Sequence, residues 1–181
     1  EKSDFVVVSI FVNPTQFNNS EDLENYPITL HEDIKLLEDE QCDILFCPEI
    51  SEIYPKGNIT KKYPLNGLDK TLEGEKRPGH FDGVCTVVHH LFDIVTPDKA
   101  LFGEKDFQQL AIIKHLVKKL ALEIDIVSCP TVRDSDGLAK SSRNKLLSAS
   151  EREKASLIYE SMKKAKSLFP EKEILDIKRM V

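Results

Sequence analysis

The chain has no excess of positive charge. Its 181 residues hold 25 lysines and arginines against 31 aspartates and glutamates, a formal net charge of −6. That balance excludes the basic footprint on which nucleic-acid binding depends. Long apolar runs are missing as well. The longest, Phe5 to Val12, covers eight residues and is interrupted at Ser9, whereas ~20 are needed to span a bilayer. No signal-peptide pattern is visible. The four cysteines, Cys42, Cys47, Cys85 and Cys129, form no Cys-x-x-Cys pair and no zinc-like spacing with histidine. Three of them fall in apolar segments, which reads as small buried thiols in a reducing, cytoplasmic setting. Adjacent His89 and His90 cannot face one another on a helix, so no metal site is expected. Repeats and low-complexity segments are absent. What is present is ordinary globular composition, 40% hydrophobic and 31% charged, in a length that fits one domain or one domain plus part of another.

Strand and helix patterns alternate along the chain. Phe5 to Val12 is nearly continuous and β-branched, the pattern of a strand buried on both faces. Thr29-Leu30-His31-Glu32 matches a capping box, and Leu30, Ile34 and Leu37 then share one helical stripe. Cys42 to Cys47 is a second apolar strand, ended by Pro48. Residues 49–82 show no period and are rich in Lys, Gly, Pro and Glu, which predicts a functional loop or flap. Helical spacing returns from Val84 to Val95. A short strand at Lys99 to Phe102, a helix from about Asp106 to Leu120 and a strand at Glu123 to Cys129 follow.

Such alternation predicts an α/β, Rossmann-like, doubly wound parallel sheet, with ligands beyond the carboxyl ends of its strands. After Pro130 the pattern changes. Asp134-Ser135-Asp136-Gly137 is a turn. Ser148-x-x-Glu151 caps a helix expected to turn Ala155, Ile158, Met162, Ala165 and Phe169 inward, and Lys172 to Val181 begins another. The expected division is residues 1–131 and residues 132–181.

Three segments carry chemistry. Phe11-Val12-Asn13-Pro14-Thr15-Gln16-Phe17 puts two amides directly after the first strand, suited to a hydroxyl and a carboxylate; simple Asn-Pro turn punctuation is the alternative. Gly103-Glu104-Lys105-Asp106-Phe107-Gln108-Gln109 lies where a strand hands over to a helix. Free N–H groups at a helix start favour phosphate, Gly103 lets a ligand approach the backbone, and Lys105 brings a flexible point charge. Asp106 as an ordinary first-turn helix charge stays open beside that view. Gln109 shares a helical face with Asp106 and Leu110. Lys140-Ser141-Ser142-Arg143 offers hydroxyls and a guanidinium to phosphate oxygens, or else an ST-turn that caps the next helix. The pooled inventory suits a nucleoside triphosphate with a metal and a small polar substrate.

In order and wording these segments, with Leu72-Glu73-Gly74 and Arg77-Pro78-Gly79-His80-Phe81 between them, closely resemble the pantothenate synthetase (pantoate–β-alanine ligase) family of the nucleotidyltransferase superfamily. The resemblance runs nearly end to end. It implies ATP-dependent ligation of pantoate and β-alanine to pantothenate, a coenzyme A precursor, through a pantoyl adenylate, with AMP and pyrophosphate released. A cytoplasmic homodimer using ATP and Mg²⁺ is implied too. Gln16, Gln109 and Asn13 would read pantoate, Gln16 later meeting β-alanine. Gly103, Glu104, Lys105 and Asp106 would form the ATP segment, and Val132 would pack on the adenine, unless it is a core valine at the domain junction.

Lys140, Ser141, Ser142 and Arg143 would correspond to the Lys-Met-Ser-Lys-Ser loop of class I aminoacyl-tRNA synthetases. Lys105, Ser141, Ser142 and Arg143 would then be the catalytic group that neutralises phosphate charge. Lys140 departs from the family, which often has an apolar residue there. Arg77 and His80 would either line the pocket mouth or order their loop. The family's His-x-Gly-His signature has no counterpart among His31, His80, His89, His90 and His115. The resemblance therefore also implies an internal portion of a longer enzyme, without the family's first strand, ending inside a smaller C-terminal domain and inactive alone. Another nucleotidyltransferase on the same scaffold, or a non-catalytic nucleotide-binding remnant, are the competing readings.

Overall fold

The computed structural model describes residues 3–180, and its contacts divide the chain into two compact units that meet between Cys129 and Pro130. In the first unit β1 (Val7–Ser9) pairs in parallel with β2 (Ile44–Phe46), with Val8 opposite Leu45. Likewise β3 (Lys99–Gly103) pairs in parallel with β4 (Asp125–Cys129), with Leu101 opposite Val127. Parallel neighbours need a crossover. α1 (Ser20–Glu24) and α2 (Leu30–Asp39) supply it between β1 and β2, and α6 (Phe107–Leu120) between β3 and β4. Between the two pairs the chain forms α3 (Ile50–Ile53), α4 (Leu72–Lys76) and α5 (His80–Val95). This is the expected α/β arrangement of parallel strands and helices, present among the described residues as two strand pairs.

Two helices build most of the core. Phe81, Val84, Cys85, Val88 and Phe92 of α5 meet Ile112, Ile113 and Leu116 of α6, and the strands add Phe46, Ala100, Phe102 and Ile126 from below. These positions follow the 3.6-residue period of an amphipathic helix, and each fully buried aliphatic contributes ~1.5–3 kcal/mol. Burial pushes the Cys85 thiol up to about 12, so it behaves as a small hydrophobe. Cys47, by contrast, is exposed.

Three expectations need correction in this unit. The first strand is short, and Phe5 and Val6 before it are exposed, because only one strand flanks it among the described residues. The Thr29 capping box does not form; the Thr29 hydroxyl donates to the Asp33 carboxylate instead. Residues 49–82, expected as a functional loop or flap, are not without regular structure, though Glu73, Arg77 and His80 among them line a cavity. The segment contains α3 and α4, and Ile53, Tyr54 and Leu65 are fully part of the core. Isolated anchors of this kind leave no periodic trace in a sequence.

The second unit opens with the expected turn, where Gly137 N–H donates to Asp134 O at 2.9 Å and Arg133 bridges to Ala139. α7 (Ala149–Ala155) carries the full Ser148/Glu151 capping box. α8 (Leu157–Leu168) and α9 (Ile174–Met180) follow; Val181, expected in the last helix, lies outside the described residues. The expected inward stripe is corrected at Ile158, Met162 and Phe169, which are 63%, 49% and 60% exposed. The covered side is set by Tyr159 instead. The Arg133 guanidinium stacks 4.0 Å over its ring, and a Cβ on Gly137 would stand 2.3 Å from its Cδ1. Among the described residues, no helix is long and apolar enough to cross a membrane.

Candidate active site

The turn after β1 begins at Asn13, which caps a short 3-10 turn over Pro14–Gln16 by accepting Thr15 N–H. Asn13 is only 2% exposed, and both ends of its side chain face protein. Oδ1 accepts the Tyr54 hydroxyl at 2.7 Å and the Thr15 hydroxyl at 3.0 Å. Nδ2 donates to Gly83 O at 3.3 Å and to Gln16 Oε1 at 3.2 Å. A buried amide with every polar atom partnered is stable where an unpartnered one would be costly. Gly83 is needed for the fit, since a Cβ there would come within 2.3 Å of Thr15 O.

The backbone carbonyl of Gln16 is gripped from the far side. It accepts Arg77 Nη2 at 3.1 Å and His80 Nδ1 at 2.7 Å. A carbonyl only accepts, so Nδ1 carries the proton and His80 is fixed in one tautomer. Burial lowers the His80 pKa, against the bond to Gln16, which raises it; the ring is therefore neutral near pH 7. Arg77 and His80, left undecided from sequence, thus join the start of α5 to the turn after β1.

At the carboxyl end of β3, Gly103 has an ordinary φ of −70° and open space where a Cβ would stand. Glu104–Asp106 form a 3-10 turn, and α6 begins one residue later than expected, at Phe107. Lys105 Nζ pairs with Asp106 Oδ1 at 3.2 Å, the two side chains being 41% and 59% exposed. A cavity of about 300 Å³ opens here, lined by Arg77, His80, Lys105, Asp106, Gln108 and Gln109 among others. The structure thus gathers Lys105, Asp106 and Gln109 around one hollow, and Gln16 adjoins it through the two residues that hold its carbonyl. A second hollow of about 540 Å³, between Phe11, Ile28 and Ile50, contains none of the expected site residues.

Gln108 is the residue the sequence did not single out. Its Nε2 donates to Leu68 O and Thr71 O at 2.7 and 2.8 Å, and its Oε1 accepts Glu73 N–H at 3.0 Å. It staples the first turn of α6 to α4, so it builds the cavity wall. Neighbouring glutamines on a helix point ~100° apart, and nothing in a Gln-Gln pair tells which one faces the hollow.

The remaining expected residues belong to the second unit. Val132 is 66% exposed. Lys140 N–H donates to Val132 O at 2.9 Å, tying the two together, while the Lys140 side chain is exposed. Ser141 Oγ accepts Arg143 N–H at 3.3 Å and caps the 3-10 turn Ser142–Leu146; the ST-turn is realised. From downstream, Arg152 binds Asp134 at 3.1 Å and also Asp136, locking the turn that leads into this loop.

Parallel strands with a cation, a carboxylate and amides gathered at a strand's carboxyl end define a Rossmann-like α/β unit with a polar ligand site. The family described as pantoate-beta-alanine ligase matches residues 1–181, and the chain belongs to that family. A pantothenate synthetase of Christiangramia forsetii is 54% identical over 168 residues, 92% of this chain and 59% of that protein. One from Aquifex aeolicus is 56% identical over 160 residues, 88% of this chain and 56% of that protein. The chain thus spans little more than half the length of these relatives. Among solved structures, pantothenate synthetase from Thermus thermophilus matches with a TM-score of 0.87 at 45% identity, covering 91% of this chain and 60% of that one. The pantoate-beta-alanine ligase of Francisella tularensis, complexed with beta-gamma ATP and β-alanine, matches at 0.84 with 47% identity, covering 88% and 61%.

Proposed function

We propose that the full-length protein joins pantoate to β-alanine with ATP, through a pantoyl adenylate, releasing pyrophosphate and then AMP. The observation that carries this reading is the hollow at the end of β3, where Lys105, Asp106 and Gln109 meet Arg77 and His80 beside Gln16, in a chain of this ligase family. The first unit is the nucleotide- and pantoate-binding domain, and the second carries the Ser-Ser-Arg loop. The relative solved with a nucleotide and β-alanine supports both co-substrates.

In the first step a pantoate carboxylate oxygen attacks the α-phosphorus of ATP and pyrophosphate leaves. In the second the β-alanine amine attacks the acyl carbon, and AMP leaves with the oxygen that linked it. No bond to the protein forms, so positioning and charge neutralisation carry the rate. Lys105 would exchange its weak, exposed pairing with Asp106 for the phosphates, joined by Ser141, Ser142 and Arg143. Gln16 and Gln109 would hold the carboxylate and hydroxyls of pantoate, with Asn13 beneath them. Gly103 and Glu104 would border the nucleotide, and Val132, an exposed apolar side chain tied to Lys140, suits the face of an adenine.

No group of three or more His, Cys, Asp or Glu among the described residues is arranged to hold a metal. The cavity offers only Glu73 and Asp106, a donor set that fits Mg²⁺ arriving on the triphosphate and borrowing one or two carboxylates. When bound, it supplies further neutralisation of phosphate charge. Exchange of labelled pyrophosphate into ATP tests the reading. The full-length protein should catalyse it with pantoate and without β-alanine; exchange that ignores pantoate, as in another nucleotidyltransferase, or no exchange at all, as in a remnant, contradicts it.

A further inference from the structure

The geometry points to Tyr54 as a positioning residue that commits the Gln16 amide to donate hydrogen bonds to the hydroxy-acid substrate, an inference that rests on the assignment of Gln16 to pantoate above. Tyr54 ends α3, far from the site in sequence. It is 5% exposed, with its ring tilted against Phe11 and edge-on to His90. Its polar contacts run through its hydroxyl, which donates to Asn13 Oδ1 at 2.7 Å and lies 3.1 Å from Thr15 Oγ1.

That bond fixes a direction. Asn13 Oδ1 collects the Tyr54 and Thr15 hydroxyls and Thr15 N–H, so the oxygen must lie on that side. Nδ2 then faces Gly83 O, an acceptor that would repel a flipped Asn13 oxygen. The same Nδ2 donates to Gln16 Oε1. Gln16 Oε1 is therefore held inward, and its Nε2 hydrogens are left to donate outward. Donors suit a substrate that presents carboxylate and hydroxyl oxygens. Burial raises the Tyr54 pKa, which keeps the phenol protonated at neutral pH. The relay runs from Tyr54 O–H through Asn13 to Gln16 and on to the substrate.

The test is a double-variant comparison in the full-length protein, with ATP, pantoate and β-alanine as the probes. Tyr54→Phe should raise the pantoate KM about three- to tenfold, the size of one lost net hydrogen bond, with the ATP KM within about twofold. In a Gln16→Ala background the same substitution should do nothing further to pantoate use. An unchanged pantoate KM in Tyr54→Phe, or an equal rise in both backgrounds, overturns the positioning role while leaving the proposed function standing. Wild-type protein that uses no pantoate overturns both. Should Tyr54→Phe fail to fold, Thr15→Val removes the second hydroxyl donor from Asn13 Oδ1 and must show the same dependence on Gln16; its absence overturns the relay.

Discussion

Lys105 and Gln109 line one cavity, and in the proposed reaction they would meet different substrates. Lys105 is a mobile charge, so Lys105→Ala should slow adenylate formation, the step in which charge on the triphosphate is redistributed. Gln109→Ala leaves substrate oxygens unpaired, at a cost of ~1–3 kcal/mol. It should therefore weaken pantoate use and leave ATP binding nearly unchanged. Calorimetry of ATP binding, beside single-turnover adenylate formation across pantoate concentrations, separates the two. Loss of ATP binding in Gln109→Ala, with normal pantoate dependence, contradicts this division of labour.

His80 titrates in a way that reaches stability. Burial is the main reason its folded pKa lies below the ordinary value of ~6.5. Between the lowered value and ~6.5 the unfolded chain binds more protons, so stability falls as pH drops through that window and flattens below it. His90 shifts the same way, also chiefly through burial. His80→Gln, which keeps a donor for the Gln16 carbonyl, should shrink the loss of urea resistance between pH 7 and 5.5. An unaltered pH slope would assign the effect elsewhere. At this scale the sequence marked Asn13 and Gln16 as amides near a strand end, but not which was buried. Asn13's partners, Tyr54 and Gly83, lie 41 and 70 residues downstream, beyond any local pattern.

Between elements, the close approach of α5 to the turn after β1 depends on Gly83. A Cβ at 2.3 Å from Thr15 O cannot be absorbed by a rotamer change, because the obstacle is backbone. Gly83→Ala should cost ~1–3 kcal/mol as overpacking and lift the Asn13–Gln16 turn. Urea unfolding should show the loss, and pantoate KM should rise with it; a stable variant with unchanged KM would mean the turn is not seated on α5. The elements with a full period of apolar residues, α5 and α6, were legible because many positions vote together. The run 49–82 was not, since Ile53, Tyr54 and Leu65 are single anchors between turns. The face of α8 was misjudged for a related reason. Its cover is the Arg133–Gly137 turn on Tyr159, a contact that helical spacing does not encode.

At the scale of the chain, a net charge of −6 means that its 181 residues supply no positive field to draw in an anionic nucleotide. Under the proposed function, affinity for ATP would come from local donors, Lys105 in the first unit and the Ser-Ser-Arg loop in the second. The family match across residues 1–181 and the parallel α/β build agree with the alternation of apolar segments in the sequence. The chemistry proposed for the full-length protein turns on one bond, between a pantoate oxygen and the α-phosphorus. Pantoate labelled with ¹⁸O in its carboxylate should therefore deliver one ¹⁸O atom to each AMP released during pantothenate synthesis, read by mass spectrometry. AMP free of the label, or ADP and phosphate in its place, would contradict an acyl-adenylate ligase.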